Sequence, residues 1–409
     1  MSRKKILFIS GSVGLGHVTR DLPIANELRH QVPDVDLEWI ATGPAAAMLR
    51  EAGEKLVPAA SQWVDYTPLG LVMLKELIED GKPYSANVID FLFRMREAAE
   101  CNVSIFKQFI SNNFYNLVVG DEAFELEYAL RDGRIKLMTT FVMILDFLGY
   151  HPMTWSPKEH MLTYMMNRKW VRDFERIPSS EITCLYVGER DDILDKRFGF
   201  LLPNRRDHAR KRIEFLGHVL RFNPADYRDQ DKIRARLGYG PEKLVICSVG
   251  GTPAGRSLLE LCSGAFPVIR ARIPDLRMVL VCGPALTAED LTVSPDLDVR
   301  GYVPDLFEHF AACDLAIVMG GGTTTAELTA LRKPFLYFPM EGHFEQSVHI
   351  AYRLDRIGAG VRMWYSQTSA ESLADAVIDN LGKDVHHDPI QTDGARRAAE
   401  LIGELLERT

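Results

Sequence analysis

The sequence predicts an α/β protein built from two doubly wound, Rossmann-like domains that face a cleft. Short apolar runs alternate with stretches whose apolar residues recur at helical spacing, a pattern typical of a parallel sheet covered by helices. The alternation starts twice, at residue 5 and again near residue 243, and both times a glycine-rich loop follows the first strand. Because ligands of such sheets bind beyond the carboxyl ends of the strands, the two loops predict half of a binding site in each domain.

The N-terminal domain is predicted to span residues 1–220 and to contain helical insertions. Its strands are predicted at 5–10, 37–41, 55–58, 116–121, 137–144 and 182–188. Its helices are predicted at 18–28, 45–52, about 69–112 and, in a segment rich in Met, Trp and aromatic residues, 151–178. Short continuous apolar runs such as 5–10 suit strands that are buried in a parallel sheet.

The C-terminal domain is predicted to span residues 221–385, after a proline-containing and charged linker at 217–231. Its strands, with the loops that close them, are predicted at 243–252, 277–283, 315–323 and 334–340, with a helix at 257–272 behind the first of them. Residues 386–409 form the third predicted segment and carry a final helix at 393–407.

Composition argues against several function classes. The chain has 48 basic and 56 acidic residues among 409, so its net charge of -8 provides no overall field that would attract nucleic acid. The six cysteines are widely spaced without a C-x-x-C pair, which argues against zinc binding, redox chemistry and a disulfide framework. The first apolar stretch ends at Gly11, too early for a signal peptide, and no run approaches the roughly 18 apolar residues of a membrane span. We expect a cytoplasmic protein, with peripheral membrane contact left open.

The first glycine loop, within ISGSVGLGHVTRDL, fails two phosphate-binding motifs. After Gly14 and Gly16, a dinucleotide fingerprint requires glycine at position 19, where Thr19 stands, and the second strand does not end in an acidic residue. A P-loop would end in Gly-Lys-Ser/Thr, whereas this loop runs into Gly16, His17 and Val18. The loop therefore predicts a site where backbone is open to a substrate and His17 is the first reactive side chain.

His17 is the candidate general base of the N-terminal domain. A helix N-terminus disfavours a protonated imidazole, so we expect a neutral ring there, as a general base requires. Asp121 follows a later strand of the same sheet and would fix the tautomer of that ring. The alternatives are that His17 caps a turn or fills the core, and that Asp121 caps a helix at 122–130.

The C-terminal domain carries two further glycine loops, SVGGT and MGGGTTTAE, each between a strand and a helix. Two such loops in one sheet suit a nucleoside diphosphate, because both point backbone N–H groups toward the same region. Glu327 is a candidate for accepting the two hydroxyls of a ribose, and its alternative is a capping box with Thr324.

These residues resemble a known family. The pattern Gly-x-Gly-His-x-x-Arg after the first strand, together with residues 301–360, from GYVPDLFEHF through MGGGTTTAELTALRKPFLYFPMEGHFEQ to DRIGAG, resembles the GT-B glycosyltransferases that use nucleotide-diphosphate sugars. Similar branches are the UDP-glycosyltransferases and the N-acetylglucosaminyltransferase of peptidoglycan lipid synthesis. The C-terminal resemblance covers about 60 continuous residues, and the N-terminal one is shorter.

The resemblance implies the GT-B fold, with the last helix returning to the N-terminal domain, and an inverting hexosyltransferase. It implies that His17 takes the proton of an acceptor hydroxyl with Asp121 as its partner, and that no metal ion or other cofactor is required. The donor residues that it implies, together with those of the SVGGT loop, are Gly251, Thr252, Tyr302, Val303, Gly321, Gly322, Thr323, Glu327, Glu345 and Gln346. Of these, Tyr302 and Val303 would lie beside a uracil ring, Glu327 would hold the ribose, and the pair at 345–346 would bind the donor sugar.

Three departures leave the substrates open. Met319 stands where the family commonly has histidine, no tryptophan lies near Tyr302, and Glu345 replaces the usual aspartate of the sugar-binding pair. The acceptor, a small molecule or a lipid, and the oligomeric state are not readable from the sequence. Two other functions remain: a nucleotide-sugar hydrolase in which His17 activates water, and a nucleotide-sugar sensor without catalysis.

The segment 151–178 bears on the acceptor. Its Trp and Met side chains either line an apolar acceptor channel, rest on a membrane or belong to the core. The basic cluster at 205–212 either meets anionic lipid head groups or is a solvated surface.

Overall fold

The computed structural model describes residues 3–11, 14–82, 84, 88–176, 178, 181–251, 253–294 and 296–408. The chain divides into two compact units. Unit 1 comprises Met1–Gly70, Val88–Arg221 and Gln391–Thr409, and unit 2 comprises Leu71–Asn87 and Phe222–Ile390. Each unit contains one fully parallel sheet, which confirms the predicted α/β class with two Rossmann-like halves.

Unit 1 is built on a seven-stranded sheet. Its strands are β1 (Lys5–Ile9), β2 (Asp36–Ile40), β3 (Lys55–Leu56), β4 (Leu117–Asp121), β5 (Phe141–Leu145), β6 (Ile182–Val187) and β7 (Ile213–Gly217), in the spatial order β3-β2-β1-β4-β5-β6-β7. Its helices are α1 (Gly16–Gln31), α2 (Gly43–Glu51), α3 (Thr67–Glu79, which continues into unit 2), α4 (Val88–Arg94), α5 (Arg96–Asn112), α6 (Phe124–Arg131), α7 (Pro157–Arg176), α8 (Arg205–Ala209) and, from the C-terminal segment, α15 (Gly394–Glu407).

Unit 2 is built on a six-stranded sheet. Its strands are β8 (Lys243–Ser248), β9 (Leu276–Val281), β10 (Asp298–Arg300), β11 (Leu315–Met319), β12 (Phe335–Phe338) and β13 (Val361–Arg362), in the order β10-β9-β8-β11-β12-β13. Its helices are α9 (Gln230–Leu237), α10 (Arg256–Arg272), α11 (Leu306–Ala312), α12 (Gly322–Ala330), α13 (Ala351–Ile357) and α14 (Ala370–Asn380), and a π-helical turn at Glu345–Ile350 precedes α13.

The central strands of both sheets are buried along their whole length, because helices cover both faces. In unit 1, α15 packs on α1, where Ala398 and Ile402 join Ile24 and Leu28 in one apolar cluster. Within the described residues, the structure contains no helix that is both long and apolar enough to cross a lipid bilayer.

The structure differs from the sequence predictions at three short strands and one boundary. The sequence did not predict β7, β10 or β13. The strands β10 and β13 are two or three residues long and carry charge, and the exposed Glu214 interrupts the apolar residues of β7. Residues 71–87 group with unit 2, whereas the sequence predicted one continuous domain over 1–220. The reason is Tyr84, whose buried hydroxyl donates to the Phe338 carbonyl at 2.7 Å and whose ring stacks on Tyr365.

Candidate active site

His17 and Asp121 flank the point where the strand order of the first sheet reverses. From β1 the chain continues to β2 on one side of the sheet, while β4, the neighbour of β1 on the other side, leads to β5. His17 lies on α1, which follows β1, and Asp121 is the last residue of β4. Doubly wound sheets bind their ligands at such a point, so both side chains lie where a substrate of unit 1 is expected.

The glycine loop before α1 sets the position of the His17 ring. Gly14 has a φ of 76°, which a residue with a side chain rarely adopts, and α1 begins at the exposed Gly16. A Cβ at Gly11 would lie 2.7 Å from His17 Cδ2 and 3.0 Å from Nε2, closer than real Cβ contacts. The imidazole therefore rests against the bare backbone of Gly11, a contact that the sequence did not predict.

His17 and Asp121 are neighbours in the structure. The distance from His17 Nδ1 to Asp121 Oδ2 is 3.3 Å, with the His17 side chain 18% exposed and Asp121 almost completely buried. Asp121 does not occupy the cap of the following helix, because α6 begins only at Phe124, its N-cap residue is Ala123, and that cap has no side-chain hydrogen bond. Asp121 therefore lies as a partner of the His17 ring and not as a helix cap.

Arg20 joins this pair, and sequence reasoning had given it no role. Its guanidinium donates two hydrogen bonds to Asp121, from Nε to Oδ2 at 2.6 Å and from Nη2 to Oδ1 at 2.5 Å. Nη1 donates to Asp146 Oδ2 at 2.7 Å, and Nη2 also lies 3.1 Å from His17 Nδ1 and 3.4 Å from Glu122 Oε1. The spacing of three between His17 and Arg20 places both on one face of α1, which is the sequence signal that would have found it.

Burial and charge together set the protonation of this cluster. Burial raises the pKa of Asp121, but the Arg20 guanidinium and His17 outweigh it, so the pKa of this carboxyl lies well below its usual range. Burial lowers the pKa of Arg20, yet Asp121 and Asp146 raise it well above the ordinary value, and Arg20 stays charged. Asp21 behaves oppositely, because burial and then the Asp121 charge raise the pKa of its carboxyl. The site thus contains an ionised Asp121 beside an Asp21 whose neutral form is favoured.

The candidate donor residues all follow carboxyl ends of strands in the sheet of unit 2. Because that sheet is parallel, the residues after β8, β10, β11 and β12 emerge at one edge. The strand order reverses between β8 and β11, so the loops 249–251 and 320–321 flank the corresponding position of this sheet. Thr252 lies outside the described residues.

The loop after β11 presents backbone at the start of α12. Gly321 is the N-cap and Gly322 the first helical residue, followed by the half-buried Thr323, while a Cβ at Gly321 would meet open space. Thr324 lies inside the helix, so it does not form the capping box that was the alternative for Glu327. Glu327 occupies the second turn of α12 and is 4% exposed.

The loop after β8 is held by close backbone packing. Gly250 has a φ of 71°, and a Cβ at Gly283, after β9, would lie 2.1 Å from the Gly250 carbonyl oxygen. Only glycine permits this approach. The half-buried Gly251 follows in this loop, so its backbone belongs to the same edge of the sheet.

The remaining donor candidates differ in exposure and in the contacts that their side chains make. Tyr302 is 41% exposed, whereas Val303 packs partly against the core. Glu345 and Gln346 open the π-helical turn, a rare form that is frequent at functional sites. Gln346 Oε1 accepts from the Met340 backbone N–H at 2.9 Å, so this side chain fixes the loop that precedes the turn.

The residues predicted to bear on the acceptor differ in burial. Trp170 is 3% exposed and belongs to an aromatic core with Phe124 and Phe147, whereas Trp155 is 95% exposed. In the basic cluster, Arg205 is buried and donates to backbone carbonyls in place of facing solvent.

Part of the chain matches a known family model. Residues 245–398 match the model of the glycosyltransferase family 28 C-terminal domain. This match includes the loops after β8 and β11, α12 and the π-helical turn.

Curated relatives match over part of their length. An uncharacterised glycosyltransferase of Methanopyrus kandleri is 25% identical over 197 residues, which are 48% of this chain and 55% of the relative. A UDP-N-acetylglucosamine–N-acetylmuramyl-(pentapeptide) pyrophosphoryl-undecaprenol N-acetylglucosamine transferase of Thermosipho africanus is 23% identical over 167 residues, which are 41% of this chain and 48% of the relative. The chain thus spans about half the length of these relatives.

A solved structure matches over the whole chain. The glycosyltransferase of kitacinnamycin superposes with a TM-score of 0.61 at 18% identity, covering 100% of this chain and 96% of that one. This likeness establishes the fold.

Proposed function

We propose that this chain, which has the GT-B fold and carries a glycosyltransferase family 28 C-terminal domain, is an inverting glycosyltransferase. It moves a sugar from a nucleoside-diphosphate sugar to a hydroxyl of a small-molecule or lipid acceptor. The observation that carries the proposal is the contact of His17 with Asp121 at the strand-order reversal of the first sheet. A base supported by a buried carboxylate is what activation of a hydroxyl requires.

In the proposed reaction, His17 accepts the proton of the acceptor hydroxyl as its oxygen attacks the anomeric carbon of the donor. The bond from that carbon to the diphosphate oxygen breaks on the opposite face, so the anomeric configuration inverts. Asp121 stabilises the imidazolium that forms, since its depressed pKa keeps it ionised. The departing diphosphate carries the negative charge away.

Unit 2 supplies the donor site in this proposal. Backbone N–H groups of Gly251 and of residues 321–323, with the N-terminus of α12, stabilise the charge on the leaving diphosphate, and the scheme uses no metal ion. Glu327 binds the ribose hydroxyls, and Glu345 with the Gln346 amide binds the sugar. We propose uridine as the nucleoside, in line with the name of the Thermosipho africanus relative.

The proposed acceptor is apolar or lipid-linked, with peripheral membrane contact through α7 and the neighbouring loop. Exposed apolar side chains gather there: Trp155, Met161, Met165, Phe200 and Leu201. Met161 and Met165 share one face of α7, and Gly199 packs so closely on Tyr164 that a Cβ would lie 2.8 Å from that ring. An exposed apolar surface of this kind suits an interfacial position at a membrane.

The deciding experiment combines product analysis with a variant of the base. The full chain is incubated with a panel of nucleotide sugars and acceptors, and the anomeric configuration of the product is read by NMR. We expect His17→Gln to lower kcat by about 10²- to 10⁴-fold without changing the thermal shift produced by the nucleoside diphosphate. His30→Gln, at an exposed histidine of the same helix, is the matched control and keeps full activity.

Other outcomes of this experiment would identify one of the alternative functions. Free sugar released at full rate without an acceptor makes the protein a nucleotide-sugar hydrolase. Binding of the nucleotide sugar with no turnover under any condition makes it a sensor. Full activity of His17→Gln removes His17 as the base and leaves transfer to another group.

A further inference from the structure

We propose that Arg20 and Glu122 are positioning residues that decide which ring nitrogen of His17 carries the proton. The tautomer itself follows from the contacts of the cluster, while its effect on catalysis rests on the function proposed above. Neither residue touches the reacting atoms in this scheme, and both act through His17.

Two neighbours with opposite requirements meet at His17 Nδ1. Arg20 Nη2, which can only donate, lies 3.1 Å away, and Asp121 Oδ2, which can only accept while ionised, lies 3.3 Å away. A neutral imidazole has one proton for its two nitrogens. Nδ1 accepts from Arg20 when that proton is on Nε2, and it donates to Asp121 when the proton is on Nδ1 itself.

The two tautomers differ in what they leave for a substrate. With Arg20 bonded to Nδ1, Nε2 carries a proton and has no lone pair for the acceptor hydroxyl. With Asp121 bonded to Nδ1, Nε2 is free of its proton and acts as the base. Both contacts lie within hydrogen-bond distance, and the contact to Arg20 is the shorter, at 3.1 Å against 3.3 Å to Asp121, so we expect the resting site to favour the first tautomer.

Glu122 provides the route to the second tautomer. Its Oε1 lies 3.4 Å from the same Arg20 Nη2, so the N–H that leaves His17 has an acceptor within reach. Glu122 holds a φ of 51°, an unusual backbone conformation for a residue with a side chain, and such strain is concentrated at functional positions. The left-handed turn directs its carboxylate toward the Arg20 guanidinium.

The rest of the guanidinium is fixed, so the change is a swap of one hydrogen bond and not a movement of the side chain. Nε is bonded to Asp121 and Nη1 to Asp146, and Arg20 is 5% exposed. Among the described residues, the charged groups that contact His17 are Arg20 and Asp121, and the groups that in turn interact with these two are Asp21 on α1, Glu122 after β4 and Asp146 after β5.

The test is the ¹⁵N chemical shifts of the His17 ring in the full chain labelled at histidine, with the His17 signals identified by their absence in His17→Gln. In the neutral ring of the wild type we expect the Nε2–H tautomer to predominate. Arg20→Lys keeps the cation but removes the fork, and it shifts the ratio toward Nδ1–H by about tenfold, as expected for a charge-assisted hydrogen bond. Glu122→Gln weakens the alternative acceptor and shifts the ratio further toward Nε2–H.

Glu127→Gln is the matched control, because Glu127 is a buried carboxylate paired with an arginine on α6 and has no described contact with His17. Its His17 shifts should equal those of the wild type. A wild-type ring in the Nδ1–H form, or a ratio that Arg20→Lys and Glu122→Gln leave unchanged, overturns the proposal. Should Arg20→Lys not fold, Glu122→Gln alone decides.

Kinetics then separate this inference from the proposed function. Glu122→Gln should lower kcat while leaving the KM for the acceptor and the affinity for the nucleoside diphosphate unchanged, and a merely structural role would not give this split. Tautomer shifts as expected in a protein without any transfer activity would refute the function and leave the inference standing. Glycosyl transfer in a protein whose His17 tautomer ratio does not change in the variants would refute the inference and leave the proposed function standing.

Discussion

Gly11→Ala is expected to disable the proposed base without unfolding the protein. The new Cβ would lie 2.7 Å from His17 Cδ2 and 2.8 Å from Cγ, whereas ordinary contact begins at 3.4 Å. The imidazole must therefore move by about 0.7 Å or leave its rotamer. A displacement of about 1 Å costs about 10²-fold in rate, so we expect kcat to fall by about 10- to 100-fold.

The assay is steady-state transfer with donor and acceptor varied separately, accompanied by urea unfolding. The affinity for the nucleoside diphosphate should not change, because its candidate residues lie in unit 2. Gly403→Ala is the matched control: this glycine lies within α15, and its Cβ would meet only Val32, at 3.7 Å. We expect full activity there and a gain of about 0.5–1 kcal/mol in the free energy of unfolding.

A Gly11→Ala protein that retains kcat within about twofold of the wild type would refute the reasoning, because the ring either tolerates the displacement or is not the base. A loss of kcat accompanied by an equal loss in Gly403→Ala would point to a general effect of substituting glycine.

Three further predictions each concern one buried residue. Asp21→Asn should raise the free energy of unfolding at pH 7 by at least about 1 kcal/mol. Folding raises the pKa of the Asp21 carboxyl, so its neutral form stabilises the folded state fully below the unfolded pKa of about 3.9, and this contribution is lost as the pH rises through the folded pKa. Asparagine stays neutral and does not lose it. Unfolding at pH 4 and pH 7 tests this, and an equal difference at both would contradict it. Glu327→Gln should weaken binding of the nucleoside diphosphate by about tenfold in calorimetry, and unchanged affinity would remove Glu327 from the ribose site. Tyr84→Phe should lower the free energy of unfolding by about 1 kcal/mol, because it removes one buried hydrogen bond to the Phe338 carbonyl, which keeps only its bond from the Gly320 N–H; an unchanged urea midpoint would argue against the Tyr84 bond.

Much of the fold was readable from the sequence because its signals are local. The apolar runs of β1, β8 and β11 and the glycines after them predicted two parallel sheets, and the structure confirms both. The strands β10 and β13 were not readable, because a strand of two or three residues at a sheet edge is made by its neighbour and not by its own composition.

The candidate site was readable only in part. His17 follows the glycine loop after the first predicted strand and Asp121 ends a later one, which is why the sequence selected both. The separation of about a hundred residues along the chain does not show how far apart they lie in space. The roles of Asp146 and Asp21 depend on how β5 and α1 pack around Arg20. No sequence pattern marks such a contact.

The sequence by itself determined that this protein has two parallel α/β halves, which loops close their strands, and which polar side chains those loops present. The spacing of apolar residues and the residue types that favour turns are properties of neighbouring residues, so they can be recognised in the sequence without knowledge of the fold. Only the tertiary structure decided that Asp121 meets His17 instead of capping α6, that Gly11 shapes the ring's position and that residues 71–87 join unit 2. Contacts between distant segments depend on strand order and on side-chain packing, and the chain establishes both only when it folds.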